Sequence, residues 1–231
     1  TLFKKAYGQT PTTSVTDTLN FALKLEYLEA AFYNAGVASS LGFSASEKAY
    51  LVTIQGHENA HVKFLQGVLG ASAVAQSTQG TNGVYDFTAK GTFPTVLTNV
   101  DIFFAVAQAF EDTGVRAYKG QAPNLIGQQV PLTAALNIHS VEARHASAVR
   151  QIRRLRGAAT TKPWITGAND TGIAAVAGNY AGEDNVVQGG VTITNLAGVS
   201  GSVAVNAATE AFDEPLTAAQ VVALVAPFGV K

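Results

Sequence analysis

The sequence predicts an all-α core, a four-helix bundle with a long crossover between its second and third helices, followed by a C-terminal appendage of short strands, loops and a short helix. Three observations support this fold class. Four segments carry apolar side chains at alternating spacings of three and four residues, as helices that bury one face do. The connections between these segments are short, long and short. After residue 157 the helical period gives way to a sequence rich in Gly, Thr and Val.

The first half of the bundle follows an N-terminal arm. Residues 1–16 are rich in Thr and contain one Pro, and we expect them to precede the fold. Asp17 is a suitable N-cap for a first helix that ends near Ser39. A second helix is predicted over residues 44–69, because Ser44-Ala-Ser-Glu47 has the spacing of a capping box.

The second half begins after a Gly-, Ser- and Thr-rich crossover over residues 71–97. A third helix is predicted over 99–119, and we expect Gly120 and Pro123 to break it. The fourth helix is predicted over 131–156, since Pro is accepted in a first helical turn. One long crossover between the second and third helices distinguishes this topology from a simple up-down bundle.

The appendage is predicted over residues 158–231, packed on the bundle of residues 17–157. Val191-Thr-Ile-Thr194 and Val203-Ala-Val205 alternate among Gly and Asn, which suggests a few short strands or ordered loops. Residues 216–224 predict one more short helix, which ends before Pro227.

Composition excludes several classes of function. Charged residues make up 13% of the chain and the formal net charge is -1, so there is no charge pattern for nucleic acid or an anionic membrane. No apolar run is long enough for a membrane span. Cys is absent, which excludes disulfides, zinc-thiolate sites and cysteine nucleophiles.

The start of the chain bears on its location. Met is absent and the chain begins at Thr1, so an initiator methionine once preceded it. A removed export signal would explain this start together with the polar, charge-poor composition, and we expect a periplasmic or secreted protein. An engineered truncation would explain the start equally well.

Each predicted helix carries one Glu near the middle of its apolar stripe. Two of these helices also carry a His three residues later, which places both side chains on one helix face. The other two carry a Tyr seven residues after the Glu, so the chain repeats one pattern twice and implies an approximate two-fold axis. The residues of this pattern are Glu26 and Tyr33, Glu58 and His61, Glu111 and Tyr118, and Glu142 and His145.

Four carboxylates that converge inside a bundle would repel each other and lose their hydration. They could take up protons, but two divalent cations would balance four negative charges. Oxygen-rich sites with two imidazoles suit Fe or Mn better than zinc, and known di-iron and di-manganese bundles use this set of ligands. We therefore predict two metal ions bound by Glu26, Glu58, His61, Glu111, Glu142 and His145. A purely structural polar core is the alternative.

Other polar residues have two or more interpretations each. Glu29, one turn beyond Glu26, is an additional ligand, a hydrogen-bonding neighbour of a ligand or an exposed helix residue. Tyr33 and Tyr118 are candidates for a catalytic role through hydrogen bonds to the carboxylates, or are simply aromatic core residues. His57 and His139 lie outside the helix faces that carry the candidate ligands. We interpret them as surface residues or as neighbours of a ligand. For the four arginines near the end of the fourth helix we favour a solvated helix end over an anion site; they are Arg150, Arg153, Arg154 and Arg156.

At these residues the chain resembles the ferritin-like domain proteins, and specifically the branch described as desiccation-related. The resemblance covers residues 17–156, with a weaker likeness in the tail, and it rests on four strings. It implies a ferritin-like bundle, export from a bacterial or fungal cell, and a dinuclear iron or manganese centre. Manganese catalases are a more distant resemblance, because they lack the second Glu-x-x-His in this form. The strings are Leu25-Glu-Tyr-Leu-Glu-Ala-Ala-Phe-Tyr33, His57-Glu-Asn-Ala-His61, Glu142-Ala-Arg-His145 and Ala211-Phe-Asp-Glu-Pro-Leu216.

Two functions fit this pattern. The first is an oxidoreductase, ferroxidase or catalase-like, that acts on O2 or peroxide or oxidises metal ions in stress protection. The second is an extracellular structural or assembly subunit, a homo-oligomer whose metal site is structural or vestigial. A cage-forming iron store fits less well, because the appendage is not part of a standard ferritin shell.

Overall fold

Four long helices form the core of the molecule. The computed structural model describes residues 13–158, 160–168, 172–198 and 201–231. Helix α1 packs mainly against α2, and α3 packs mainly against α4. The segment 70–99 crosses from α2 to α3, while the other two connections are short. The predicted fold class is confirmed, and residues 1–12 of the predicted arm lie outside the described residues. The helices are α1 Val15–Ala38, α2 Ala45–Leu69, α3 Val100–Gln121 and α4 Gln129–Leu155.

The N-terminal caps of α1 and α2 follow local chemistry. The Ser14 side chain caps α1 by accepting a hydrogen bond from the Asp17 backbone N–H at 3.0 Å. The prediction that Asp17 is the N-cap is therefore wrong, and its carboxylate lies in the first turn, where it favours the helix dipole. At α2 the capping box is confirmed. Ser44 and Glu47 each accept a hydrogen bond from the other's backbone N–H.

Gly120 permits a close backbone contact between α3 and the appendage. A Cβ atom on Gly120 would lie 1.9 Å from the carbonyl oxygen of Leu216. The Leu216 backbone N–H donates to the carbonyl of Arg116 at 3.1 Å. The prediction that Gly120 breaks the helix is wrong, because α3 continues to Gln121 and only then gives way to a 3-10 turn that contains Pro123.

The core lies between the four helices and extends around α3. Most apolar side chains on the inner faces of the helices are buried, whereas Val68 near the end of α2 is 45% exposed. Helix α3 is buried on all sides from Phe103 to Tyr118, since the crossover and the appendage cover the face turned away from the other helices. Phe32 stacks on Phe103 at 4.5 Å between ring centroids.

The appendage is mostly irregular. Its described residues contain two antiparallel pairs of two-residue strands, in which Val187 pairs with Thr192 and Ala197 with Ser202. The predicted strand at 191–194 is therefore shorter than expected, and the predicted strand at 203–205 is wrong because Val205 begins a helix. The elements are β1 Val187–Gln188, β2 Val191–Thr192, β3 Ala197–Gly198, β4 Gly201–Ser202, α5 Val205–Glu210 and α6 Ala218–Val225.

Helix α6 corresponds to the short helix predicted near the C terminus, and Pro227 lies in the 3-10 turn that follows it. The last residues pack against the crossover. Gly80 donates a backbone hydrogen bond to Gly229, and a Cβ atom on Gly229 would lie 2.9 Å from the Gly80 Cα atom. Of the helices in the described part of the chain, none is both long and apolar enough to cross a membrane.

Two buried arginines join the appendage to the bundle. Arg116 of α3 forms an ion pair with Glu183 at 2.8 Å and donates to the carbonyls of Ala181 and Glu214 at 2.7 Å each. Arg150 of α4 is completely buried and contacts the Asp112 carboxylate at 2.7 Å. Buried ionic groups need such partners, because an unpaired buried charge is costly.

The structure corrects the prediction for the arginines of the fourth helix. Arg154 and Arg156 are exposed, as expected of a solvated helix end, but Arg150 and Arg153 are buried. Arg150 also donates to the carbonyl of Trp164 at 3.1 Å, and Arg153 donates to the Gln108 side chain. The appendage covers this part of α4 and replaces the solvent that the sequence pattern implied.

Candidate metal centre

The six predicted ligands come from the middle of all four long helices and meet in the bundle interior. Helices α1 and α3 contribute one Glu each, and α2 and α4 contribute a Glu and a His each. The four Glu residues are 0% exposed, His61 is 9% exposed and His145 is 4% exposed. The structure thus brings all six residues together, while their role as metal ligands stays a prediction.

These residues form two overlapping groups, each with ligand atoms within 4.8 Å of one another. Glu58 and Glu142, the two Glu residues of the Glu-x-x-His motifs, belong to both groups. Each group could hold a metal ion, and the two groups share two carboxylates. The first group is Glu26, Glu58, His61 and Glu142, and the second is Glu58, Glu111, Glu142 and His145.

The rings of the two candidate histidines lie 6.3 Å apart between centroids. Nδ1 of His61 lies 3.2 Å from a carboxylate oxygen of Glu26 and 3.4 Å from Glu58 Oε2. Nδ1 of His145 lies 2.8 Å from Glu58 Oε1 and 3.3 Å from Glu111 Oε2. The two oxygens of Glu58 therefore face different histidines, as a carboxylate that bridges two cations would.

Several polar atoms of the centre are buried within ion-pair distance of one another but without hydrogen-bond geometry. They are both carboxylate oxygens of Glu58 and of Glu142, one oxygen of Glu111, and Nδ1 of His145. Buried polar atoms in folded proteins are nearly always paired, and leaving them unpaired is costly. A pair of divalent cations would satisfy these oxygen and nitrogen atoms together, so the residues fit such ions.

The pKa values describe how the centre balances its charge without cations. Burial and the nearby Glu58 carboxylate raise the pKa of Glu26 to about 8. Burial also raises the pKa of Glu142 well above its ordinary range. Burial opposes the charged form of His61, but its contacts with Glu142, Glu26 and Glu58 outweigh that effect and raise its pKa to about 12. The centre thus attracts positive charge, and protons supply it when no metal does.

Glu58 shows the opposite shift. Its burial favours the neutral form, but contacts with His145 and His61 outweigh burial and lower its pKa to about 2. Of the acidic groups in the centre, Glu58 is therefore the one most strongly held as a carboxylate. It lies within 3.4 Å of Nδ1 of both histidines and belongs to both groups of candidate ligands.

Two tyrosines hold the glutamates that come from α1 and α3. The hydroxyl of Tyr33 in α1 donates to Glu111 of α3, and the hydroxyl of Tyr118 in α3 donates to Glu26 of α1. The predicted hydrogen bonds to the carboxylates are confirmed, and the exchange of partners between α1 and α3 agrees with the expected two-fold relation. A catalytic role for the tyrosines stays a prediction.

Glu29 is a fifth buried carboxylate beside the centre. It is 4% exposed, so the alternative of an exposed helix residue is wrong. A Cβ atom on Gly114 would lie 3.3 Å from a Glu29 oxygen and 3.2 Å from a Glu142 oxygen, so Gly114 leaves room for both carboxylates. Burial and the Glu142 charge raise the pKa of Glu29 well above its ordinary range. Glu29 belongs to neither group of candidate ligands.

The remaining histidines differ in their relation to the centre. Nδ1 of His57 lies 2.9 Å from Nε2 of His145, so His57 contacts a candidate ligand from the protein surface. His139 is partly buried and belongs to neither group. Sequence spacing could not separate these two residues, because both lie off the ligand stripes and only the packing of α2 against α4 brings His57 to His145.

Sequence reasoning missed the buried polar network next to the centre. Asp112, which directly follows the candidate ligand Glu111, accepts hydrogen bonds from Arg150 and from the Tyr180 hydroxyl at 2.6 Å. Tyr180 also accepts a hydrogen bond from Gln108 at 2.9 Å. An acidic residue on the apolar side of α3 was the available signal, but its partners lie far away in the sequence.

The comparison with known families agrees with this architecture. The family model described as ferritin-like domain matches residues 14–154, a range that contains all four long helices except the last residue of α4. No curated protein and no solved structure matches the chain. The matched range covers more than half of the chain and includes every residue of the candidate metal centre. The chain therefore belongs to the family of ferritin-like domain proteins.

Proposed function

We propose that this protein is a dinuclear-metal carboxylate protein that binds iron or manganese and acts on O2 or peroxide, or oxidises metal ions. The observation that supports it is the pair of overlapping ligand groups that share Glu58 and Glu142. Oxygen-rich sites with one imidazole per position suit Fe and Mn. Four carboxylates also balance the charge of two divalent ions. A neutral polar core would not require four negative groups.

A bound pair of iron or manganese ions would supply electron-transfer chemistry at two adjacent positions. The protein residues would control this chemistry by position and by exclusion of water. Tyr33 and Tyr118 orient the Glu111 and Glu26 carboxylates through hydrogen bonds. The residues that would bind the metal are at most 9% exposed, so a substrate must be small, as O2, peroxide and a metal ion are.

The proposal is tested by loading the protein with Fe(II) or Mn(II) and measuring peroxide consumption, O2 consumption and Fe(II) oxidation. The loaded protein should show at least one of these reactions, and Glu58→Gln should lose it. Glu47→Gln is a matched control, because Glu47 lies outside both groups and contacts Arg156 from the first turn of α2. Protein with two metal ions per chain that shows none of the three reactions would contradict the proposal.

We also propose that the protein belongs to the desiccation-related branch, acts in stress protection, and is periplasmic or secreted. The strings around the candidate ligands and the low share of charged residues, 13%, support this placement. Fractionation of the source cells, followed by detection of the protein with an antibody, would test the location. Recovery in the cytoplasmic fraction alone would contradict export.

A structural or assembly role is the second candidate. Exposed apolar side chains favour self-association, among them Tyr50 at 53% and Leu155 at 78% exposure on neighbouring helices. The described strands pair within two-residue hairpins, so edge-to-edge pairing has little support from them. Electron microscopy of native material separates the readings, because ordered fibres or sheets favour assembly and dispersed particles oppose it.

A further inference from the structure

The two halves of the candidate centre are built from equivalent residues. Glu26 and Glu111 occupy matching places, as do His61 and His145, and each tyrosine reaches across to the glutamate of the other half. If this equivalence were complete, two cations would bind with the same affinity. Departures from the two-fold relation near the ligands therefore indicate where the two positions differ.

One departure involves a histidine next to a ligand. His57 directly precedes Glu58, and the equivalent residue before Glu142 is Val141. The His57 ring lies nearly parallel to the His145 ring, at 14° and 5.2 Å between centroids, with Nδ1 at 2.9 Å from Nε2 of His145. A valine side chain has no acceptor, so Val141 cannot provide the same contact for His61.

The second departure is Glu29, which stands three residues after Glu26. The equivalent residue in the other half is Gly114, three residues after Glu111. Glu29 adjoins Glu142, which belongs to both ligand groups. Glu29 belongs to neither group of candidate ligands, so it does not add a ligand to one half alone. The contact between His57 and His145 is specific to one half.

A histidine that binds a metal through one ring nitrogen commonly donates the N–H of the other nitrogen to an acceptor. That hydrogen bond fixes the tautomer and the ring orientation, and it makes the ligand more basic. When Nε2–H of His145 donates to Nδ1 of His57, Nδ1 of His145 keeps its lone pair. That lone pair faces the carboxylates of Glu58 and Glu111.

We infer that the two cation positions are inequivalent: His57 is a positioning residue for His145, so the half with Glu111 and His145 binds the first divalent cation more tightly. The half with Glu26 and His61 then binds the second cation. This inference rests on the proposed dinuclear centre. It adds the order in which the two cation positions are filled, and it names His57 as the residue that determines this order.

The test is a titration of metal-free protein with Co2+, followed by visible absorption and calorimetry. Wild-type protein should bind two ions in two resolved steps. His57→Ala should weaken the first step by about 10- to 100-fold, as the loss of a ligand's hydrogen-bond partner typically does, and leave the second unchanged. His57→Asn should restore most of the loss, because its side-chain oxygen can accept the same hydrogen bond.

Val141→Ala is the matched control and should leave both steps unchanged, since Val141 stands at the equivalent place without this contact. Because His57 is exposed, its variants should fold, which circular dichroism and urea midpoints check. Two equal binding steps in the wild type would overturn this inference without affecting the dinuclear centre. A His57→Ala variant that binds like the wild type, or that loses affinity equally in both steps, would do the same. Binding of fewer than two Co2+ ions by the wild type would overturn the dinuclear centre itself.

Discussion

Replacing Glu26 with Gln tests whether the buried carboxylates serve the fold or a bound cation. Glu26 is completely buried, and burial with the neighbouring Glu58 charge raises its pKa from 4.5 to about 8. Between these two pH values the folded chain holds a proton that the unfolded chain has released. The stability that this group contributes is therefore complete below pH 4.5 and is lost as the pH rises towards 8.

The size of the effect follows from the width of this pH range. Each pH unit between the two pKa values costs the metal-free folded protein about 1.4 kcal/mol, which amounts to about 3 kcal/mol at pH 7 and about 1 kcal/mol at pH 5. Gln resembles the protonated carboxyl group and can still accept the hydrogen bond from Tyr118. We therefore expect Glu26→Gln to stabilise the metal-free protein by up to about 3 kcal/mol at pH 7 and much less at pH 5.

Urea denaturation of metal-free protein at the two pH values measures this gain, and a Co2+ titration of the same samples measures the loss of one ligand. Stability and metal affinity should change in opposite directions. Glu47→Gln serves as a control, because contacts with Ser44 and Arg156 lower the pKa of Glu47 despite some burial, so its loss should not stabilise the protein. The reasoning is refuted if Glu26→Gln destabilises the metal-free protein at pH 7 and still binds two ions normally.

Three further variants test the neighbouring structure. Glu58→Gln should abolish binding of both cations, because both groups include this carboxylate; elemental analysis that still finds two metal ions per chain would contradict the bridging arrangement. Arg150→Met should lose about 3–5 kcal/mol in urea denaturation, since it leaves Asp112 buried without its cation, and adding Asp112→Leu should recover most of the loss. Gly120→Ala should lose about 1–3 kcal/mol because its Cβ atom would meet an appendage carbonyl at 1.9 Å. Gly56→Ala, whose Cβ atom meets nothing within 4 Å, should gain about 0.5–1 kcal/mol, and equal effects of the two glycine variants would refute this contact argument.

The helical period predicted the fold and the meeting of the six candidate ligands, because each Glu and His lies on the same face as the apolar side chains around it. A face that buries leucine and isoleucine must also bury the glutamate between them. The capping box at Ser44 was predictable for a similar reason, since both of its hydrogen bonds lie within four residues. These features depend on local spacing.

The features that sequence analysis did not predict depend on partners far along the chain. Gly120 looked like a helix breaker because its contact, Leu216, comes from the appendage. Arg150 and Arg153 looked solvated because their neighbours come from α3 and from the segment after α4. Val205 looked like part of a strand, but a short helix begins there and the described strands end before it. A side-chain alternation with a period of two residues does not determine a strand when it extends over only three residues.

The same distinction explains why the repeated pattern predicted the centre but not its asymmetry. A two-fold repeat in sequence can be recognised from the Glu, His and Tyr spacings, which are equal in both halves. The contact between His57 and His145 crosses from α2 to α4, and only the packing angle of these helices decides whether the two rings meet. Two equal motifs can therefore have unequal surroundings, and the observed difference lies in a residue next to the candidate ligands rather than in the candidate ligands themselves.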